Sequence, residues 1–245
     1  SLRRYPRTLT MHRSLPRNEA GRDFFVGDIH GQYTHLFQQL ARVGFNAEFD
    51  RLIATGDMID RGEQSIETLE LLEQPWFFSV LGNHEIMFLE WVLGNSSQYY
   101  RMQVMNGGDW LISHSDEALR HHAEQIVKHC PLSLSIDSAE GIVGVAHTDP
   151  LNNDWHVMQQ LTRKHFNAEL PCLWSRSRYQ HQRMEKPVDL IAHVDMVVSG
   201  HVACEAPVWA GNQVFIDTFF RGGCLTVATI ESLLHPEREI ENELP

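Results

Sequence analysis

The chain is expected to fold as an α/β protein in which two mixed β-sheets pack as a sandwich flanked by helices. Three observations predict this. Short apolar runs at Phe24-Phe25-Val26, Leu52-Ile53-Ala54 and residues 76–81 alternate with segments of helical apolar spacing. Beyond Leu132 the pattern turns strand-rich. Several apolar runs also end abruptly in glycine and polar residues, as buried strands do where an open sheet presents its loops.

Residues 33–43 carry Leu36, Phe37, Leu40 and Val43 at helical spacing, and residues 63–72 repeat it with Ile66, Leu69, Leu71 and Leu72. Strand and helix therefore alternate as βαβ units require. Residues 86–128 read as mostly helical, broken at Gly94-Asn95-Ser96-Ser97 and Asn106-Gly107-Gly108. Strands are then expected at 132–136, 142–146, 196–199, 214–217 and 224–230. The polar stretch 149–195 between them is expected to be irregular, covering the loop ends and helping to select a ligand.

At 245 residues and 42% hydrophobic content the chain suits one domain, residues 1–245, with 1–21 and 232–245 as peripheral ends. The net charge of −12 opposes nonspecific nucleic-acid binding, which needs basic surface to displace phosphate counterions. No apolar run of about 18 residues supports a membrane span, and the polar, Arg-rich start is unlike a signal core, so a cytoplasmic protein is expected. Cys130, Cys172, Cys204 and Cys224 are widely spaced without a Cys-x-x-Cys pair and read as reduced thiols, Cys204 as a packed one. Arg3, Arg4, Arg7, Arg13, Arg17 and Arg22 at one end and Glu231, Glu237, Glu239, Glu241 and Glu243 at the other read as solvated tails or as mutual contacts.

Four segments carry the chemistry: Gly27-Asp28-Ile29-His30-Gly31, Gly56-Asp57-Met58-Ile59-Asp60-Arg61-Gly62, Gly82-Asn83-His84-Glu85 and Gly200-His201. Each follows an apolar run. Alone, any of them reads equally as a turn with an Asx cap. Together they offer the carboxylates, imidazoles and amide oxygen that a closely spaced divalent pair needs, with one ligand shared. Asp28 and His30, two apart at a loop start, can reach one ion; Asp57 is the natural bridge; Asn83 offers an amide oxygen to the second ion, whose shell two later imidazoles would complete. Such donors suit Mn²⁺, Fe or Zn²⁺. Glycines beside them allow positive φ or close approach to an anion. Most of the 15 histidines lack such a framework, and His12, His114, His121, His122, His129, His181 and His235 are read as solvated.

This pattern resembles the phosphoprotein phosphatase family of metallophosphoesterases, in particular its bacterial and bacteriophage lambda-type serine/threonine phosphatases. The likeness runs through residues 22–230 and includes Asn106-Gly107-Gly108-Asp109-Trp110, Leu173-Trp174-Ser175-Arg176-Ser177-Arg178 and Ile216-Asp217-Thr218. It implies the calcineurin-like fold and two divalent metal ions, Mn²⁺ foremost. Asp28, His30 and Asp57 would bind the first ion, and Asn83, His147 and His201 the second, with Asp57 bridging. His84 would be the general acid, Asp60 its orienting partner, and Arg61 and Arg176 the phosphoryl clamps. The implied reaction is in-line attack of a metal-bridging hydroxide on phosphorylated serine or threonine in proteins or peptides, with phosphotyrosine as a further substrate. A dinucleoside tetraphosphate hydrolase is the alternative enzyme, and a catalytically silent binding module the alternative class. The tetraphosphate hydrolases tend to carry alanine at the second motif's second aspartate and aspartate at the end of the third motif, so Asp60 and Glu85 favour the phosphatase. The chain departs from its relatives at Leu81, at Val202-Ala203 and at Phe219-Phe220-Arg221, changes that bear on groove shape and substrate preference rather than on ligands; Arg221 is read as a surface residue.

Overall fold

The computed structural model describes residues 5–238. In chain order the elements are β1 (His12–Leu15), β2 (Asp23–Val26), α1 (Tyr33–Arg42), β3 (Arg51–Ala54), α2 (Ser65–Glu70), β4 (Phe77–Ser79), α3 (Asn83–Val92), α4 (Ser97–Met105) and α5 (Asp116–His129). There follow β5 (Ser133–Ser138), β6 (Gly141–Ala146), α6 (Trp155–Gln160), α7 (Pro171–Trp174), α8 (Ser177–Arg183), β7 (Met196–Ala203), β8 (Val208–Ala210), β9 (Gln213–Asp217), α9 (Phe219–Gly222), β10 (Val227–Ala228) and α10 (Ile230–Leu234).

Two sheets form, a six-stranded one in the order β1-β5-β6-β7-β9-β8 and a four-stranded one in the order β10-β2-β3-β4. Parallel pairing puts Val26 beside Ala54 and Ile53 beside Phe78 in the smaller sheet, and Val145 beside Val198 in the larger. Residues of β2 and β3 alternate between two layers, following the period of two of a pleated strand. Phe25 and Ile53 enter the space between the sheets with Leu134, Ile136, Val145, Val198 and Ile216. Phe24, Val26, Leu52 and Ala54 turn the other way and pack with Leu36, Leu40, Leu69 and Phe88 of the helices. Burial on both faces explains why these strands read as unbroken apolar runs. Among the described residues no helix is long and apolar enough to cross a membrane.

The chain start differs from the expected peripheral end. Tyr5, Leu9, Met11 and Leu15 are buried, and β1 pairs in parallel with β5 from His12↔Ser133 to Leu15↔Ile136. Its sequence, His-Arg-Ser-Leu, hides the strand because one face of this sheet edge is polar. His12 is accordingly not solvated: its ring nitrogens lie 2.7 and 2.9 Å from Ser133 Oγ and Ser135 Oγ, and burial pushes its pKa down to about 4. At the other end Leu233 is buried and its carbonyl accepts the Trp209 indole N–H, so Leu233 belongs to the packed body, while Leu234 is exposed. Arg3, Arg4, Glu239, Glu241 and Glu243 lie outside the described residues, and so does any contact between them. The strand expected at 224–230 shrinks to β10 because Thr229 caps α10, its Oγ1 accepting the Ser232 N–H. The stretch 149–195 contains three short helices, α6 to α8. All four cysteines are free; Cys204 is buried, donates its S–H to the Val202 carbonyl, and has its pKa pushed up by burial to about 11.

Candidate active site

The C-terminal ends of β2, β3, β6 and β9, the irregularity in β7 between Ser199 and Ala203 and the first turn of α3 meet in one place. Backbone bonds stitch the loops together: the His30 N–H donates to the Asp57 carbonyl at 2.9 Å, Gly200 N–H to the His147 carbonyl at 2.9 Å, and Arg61 N–H to the Gly107 carbonyl at 2.8 Å. His30, Asp57, Asp60, Arg61 and His201 all adopt positive φ, between 43° and 74°. Such backbone is strained for side chains with a Cβ, about 1–3 kcal/mol each, and persists where surroundings over-determine it. Gly82 and Gly200 serve a different need. A Cβ on Gly82 would collide with the Asp57 carboxylate, and one on Gly200 with the Asp28 carboxylate.

The structure brings Asp28, His30, Asp57, Asn83, His147 and His201 together. Asp57 stands at the junction of two groups. Ligand atoms of His30, Asp57 and His84 lie within 4.8 Å of one another, and so do those of Asp57, His147 and His201. His30 Nε2 is 3.7 Å from Asp57 Oδ2 and 3.9 Å from Asp28 Oδ2. His147 Nε2 is 3.2 Å from Asp57 Oδ2 and 2.9 Å from Asn83 Oδ1, which His201 Nδ1 approaches at 3.2 Å. Asn83 is the first helical residue of α3, with Gly82 as its cap, and its side chain faces these imidazoles. A further group, Asp154, His156 and His193, lies apart and is largely exposed. There the two rings stack face to face at 3.8 Å, so their in-plane lone pairs run side by side instead of converging.

Three of the imidazoles share one arrangement. His30 Nδ1–H donates to the Ile59 carbonyl at 2.7 Å, His147 Nδ1–H to the Thr55 carbonyl at 2.6 Å, and His201 Nε2–H to the Trp174 carbonyl at 3.0 Å. A backbone acceptor on one nitrogen orients each ring and turns its other nitrogen toward Asp57 or Asn83, as in metal-binding histidines. His84 differs. Its Nδ1 lies 2.6 Å from Asp60 Oδ2, so a carboxylate backs this ring where carbonyls back the others. Asp60 is itself fixed by the Trp110 indole N–H at 2.7 Å and the Gln103 amide at 3.1 Å.

Electrostatics separates these groups. Burial, and then the charge of a neighbouring histidine, pushes His30 and His201 down to about 3, keeping both rings neutral. Burial alone would lower His84 and His147 too, but carboxylates outweigh it and raise both, Asp57 and then Asp60 for His84 and Asp57 for His147. Burial with the nearby charges of Asp217 and Asp57 holds Asp28 well above the usual carboxylate range. Burial pushes Asp217 up to about 6, and burial with the Asp57 charge pushes Glu85 up to about 7. Buried carboxyls crowded this closely, beside neutral imidazoles and an amide oxygen, fit divalent cations of hard to borderline character.

Arg61 and Arg176 are exposed at opposite flanks. Arg61 adds its charge beside His30, His84 and Asp217, and Arg176 beside His201. Arg221 is exposed, with a 3.5 Å bond to the Ala203 carbonyl.

Four contributors were not legible as such. Asp217 ends β9 against Asp28, and its Oδ1 is buried without a hydrogen-bond partner; a carboxylate closing a buried strand was the available signal. Glu85 accepts the backbone N–H groups of Asp57, Met58 and Gly82 at 2.6, 3.0 and 2.9 Å, tying two ligand loops to α3. Gln103 and Trp110 hold Asp60 from helical segments with no motif around Gln103.

Residues 24–205 match the family model of the calcineurin-like phosphoesterases. Serine/threonine-protein phosphatase 2 of Escherichia coli is 33% identical over 196 residues, 79% of this chain and 85% of that protein. The symmetrical bis(5'-nucleosyl)-tetraphosphatase of Vibrio cholerae strain O395 is 34% identical over 128 residues, 48% of this chain and 47% of that protein. Among solved structures, the cold-active protein-tyrosine phosphatase of a psychrophilic Shewanella superposes with a TM-score of 0.57 over 91% of this chain and 79% of its own, at 17% identity. With the family model spanning most of its length and its fold shared, the chain belongs to the calcineurin-like phosphoesterase family.

Proposed function

We propose that this phosphoesterase hydrolyses phosphate monoesters with two divalent cations, and that its substrates are phosphorylated serine or threonine side chains of proteins. The His84–Asp60 pair carries the proposal. A ring backed by a carboxylate, with its pKa raised, keeps a proton that it can donate from Nε2 to the departing alkoxide. Carbonyl-backed His30 and His201 stay neutral and available as ligands, and His147, whose proton faces Asp57, would release it to a bound cation.

Asp28, His30 and Asp57 would hold one ion, and Asp57, Asn83, His147 and His201 the other; Mn²⁺ is proposed, with Fe and Zn²⁺ as alternatives the donors also suit. Bound, the ions supply an acidified water and offset charge on the phosphoryl oxygens. Arg61 and Arg176 would grip those oxygens from the two flanks, each guanidinium matching them bidentately. Asp60 keeps the His84 ring oriented and protonated.

Dinucleoside tetraphosphate hydrolysis is the competing reading, favoured by the Vibrio cholerae relative, whose match covers about half of each chain. Asp60 weighs against it. The test compares Mn²⁺-dependent phosphate release from phosphoserine and phosphothreonine peptides with hydrolysis of diadenosine tetraphosphate. A higher kcat/KM on the peptides is expected; preference for the dinucleotide would overturn the assignment.

A further inference from the structure

After Ile216-Asp217-Thr218 the chain continues with Phe219-Phe220-Arg221, which the structure places at the mouth of the site. The two phenylalanines divide their work. Phe219 packs against the core and meets the His35 ring edge-on at 5.2 Å, anchoring the short helix α9. Phe220 is 45% exposed, although it sits at the site: its ring meets His30 edge-on at 5.7 Å, and the Arg61 guanidinium lies over it at 5.3 Å. The turn is held rigidly. Gly222 N–H donates to the Thr218 carbonyl at 2.8 Å, Gly223 N–H to the Phe219 carbonyl at 2.9 Å, and the Thr218 hydroxyl to the Cys224 carbonyl at 2.8 Å. Gly223 closes it at φ 84°.

A fixed, exposed aromatic face touching both a phosphoryl clamp and a ligand imidazole is suited to contact what is esterified to the phosphate. We infer that Phe220 is a specificity-determining residue: its contact with a phenol ring raises activity on phosphotyrosine relative to phosphoserine and phosphothreonine, whose short alkyl side chains lack that contact, without displacing the serine and threonine substrates proposed above. This rests on the phosphomonoesterase reading above. A phosphoryl group gripped by Arg61 lies beside Phe220, and the ring of an aryl ester begins one oxygen from phosphorus, within reach of an edge-to-face or offset contact. A threonine side chain ends in a methyl group and offers no ring face. Arg61 contributes twice, binding the phosphoryl oxygens and orienting the Phe220 ring by cation–π contact.

The test measures kcat/KM of the Mn²⁺-loaded protein on two peptides of one sequence, differing only in phosphotyrosine or phosphothreonine, for the wild type, Phe220→Ala, Phe220→Leu and Phe220→Trp. Comparison of ratios cancels the better intrinsic leaving ability of phenols. Phe220→Ala is expected to lower the tyrosine-to-threonine ratio about 2- to 10-fold, the range of an aromatic pair, Phe220→Leu to lower it partly, and Phe220→Trp to retain it. A ratio unchanged across the series, or equal losses on both peptides, overturns the inference. A loss confined to diadenosine tetraphosphate, assayed in parallel, overturns it in favour of a nucleobase contact. If the wild type turns over neither peptide, the phosphomonoesterase reading itself fails, a result distinct from these.

Discussion

Asp60 Oδ2 lies 2.6 Å from His84 Nδ1 in a pocket where the Trp110 indole and the Gln103 amide both donate to the same carboxylate. The ring is thereby aimed before any substrate arrives. His84→Asn is expected to keep its bound metal and lose about 10²- to 10⁴-fold in kcat, checked by phosphate release alongside metal content. Asp60→Asn removes one of the two carboxylates, beside Asp57, that raise the His84 pKa, so the alkaline limb of the pH–kcat profile should move to lower pH. The double variant should lose little beyond His84→Asn, because the two residues act as a unit.

Glu85 gathers three backbone donors from the loops that carry Asp57 and Asn83. Glu85→Ala leaves those buried N–H groups without a partner, at about 1–3 kcal/mol for each that water cannot reach. A lower Tm and reduced Mn²⁺ retention after dialysis are expected together. Wild-type metal retention in a destabilised variant would separate the two effects and contradict the link.

The titratable groups predict a pH dependence for the metal-free protein. Asp217 at about 6, Glu85 at about 7 and the raised His84 and His147 all have folded pKa values above their unfolded ones. Their contribution to stability is complete below the unfolded values and is lost as pH rises through the folded ones. His30 and His201, pushed down to about 3, act oppositely but only below about pH 6.5, where the unfolded imidazoles charge. Between pH 6.5 and 8 the Tm of the metal-free protein should therefore fall, and saturating Mn²⁺ should flatten the slope by supplying the missing positive charge. Thermal melts with and without the ion check this.

Arg178 anchors the segment that presents Arg176. It is buried, with Nε donating to Gln213 Oε1 at 2.7 Å, Nη1 to Asn153 Oδ1 and the Asp189 carbonyl, and Nη2 to the Ala210 carbonyl. Asp149 accepts from the Arg178 backbone N–H and the Ser175 hydroxyl on either side of Arg176. Arg178→Met leaves the neutral acceptors of the guanidinium without their donor, at about 1–3 kcal/mol for each that water cannot reach, and should raise KM more than it lowers kcat. Urea unfolding and steady-state kinetics on one phosphopeptide read both.

Much of the fold was legible because β2, β3, β6 and β9 are buried on both faces and read as apolar runs, while α1 and α2 keep helical spacing. β1 was not, since an edge strand of His-Arg-Ser-Leu carries no such signal. At the site, residues next to glycine at strand ends were legible because local turns concentrate them. Asp217, Gln103 and Trp110 were not, because their roles arise from contacts across 43 or more positions in sequence, as with Gln103 and Asp60. The expectation that glycine supplies the positive φ of the loops held for Gly31 and Gly56, whereas His30, Asp57 and His201 take that conformation themselves.

Mn²⁺ titration of the full chain followed by electron paramagnetic resonance probes the shared carboxylate most directly. Two ions per chain with a spin-coupled spectrum are expected, and Asp57→Asn should abolish the coupling and weaken both ions. A single uncoupled ion in the wild type, or an unaltered coupled pair in Asp57→Asn, would contradict a centre built around Asp57.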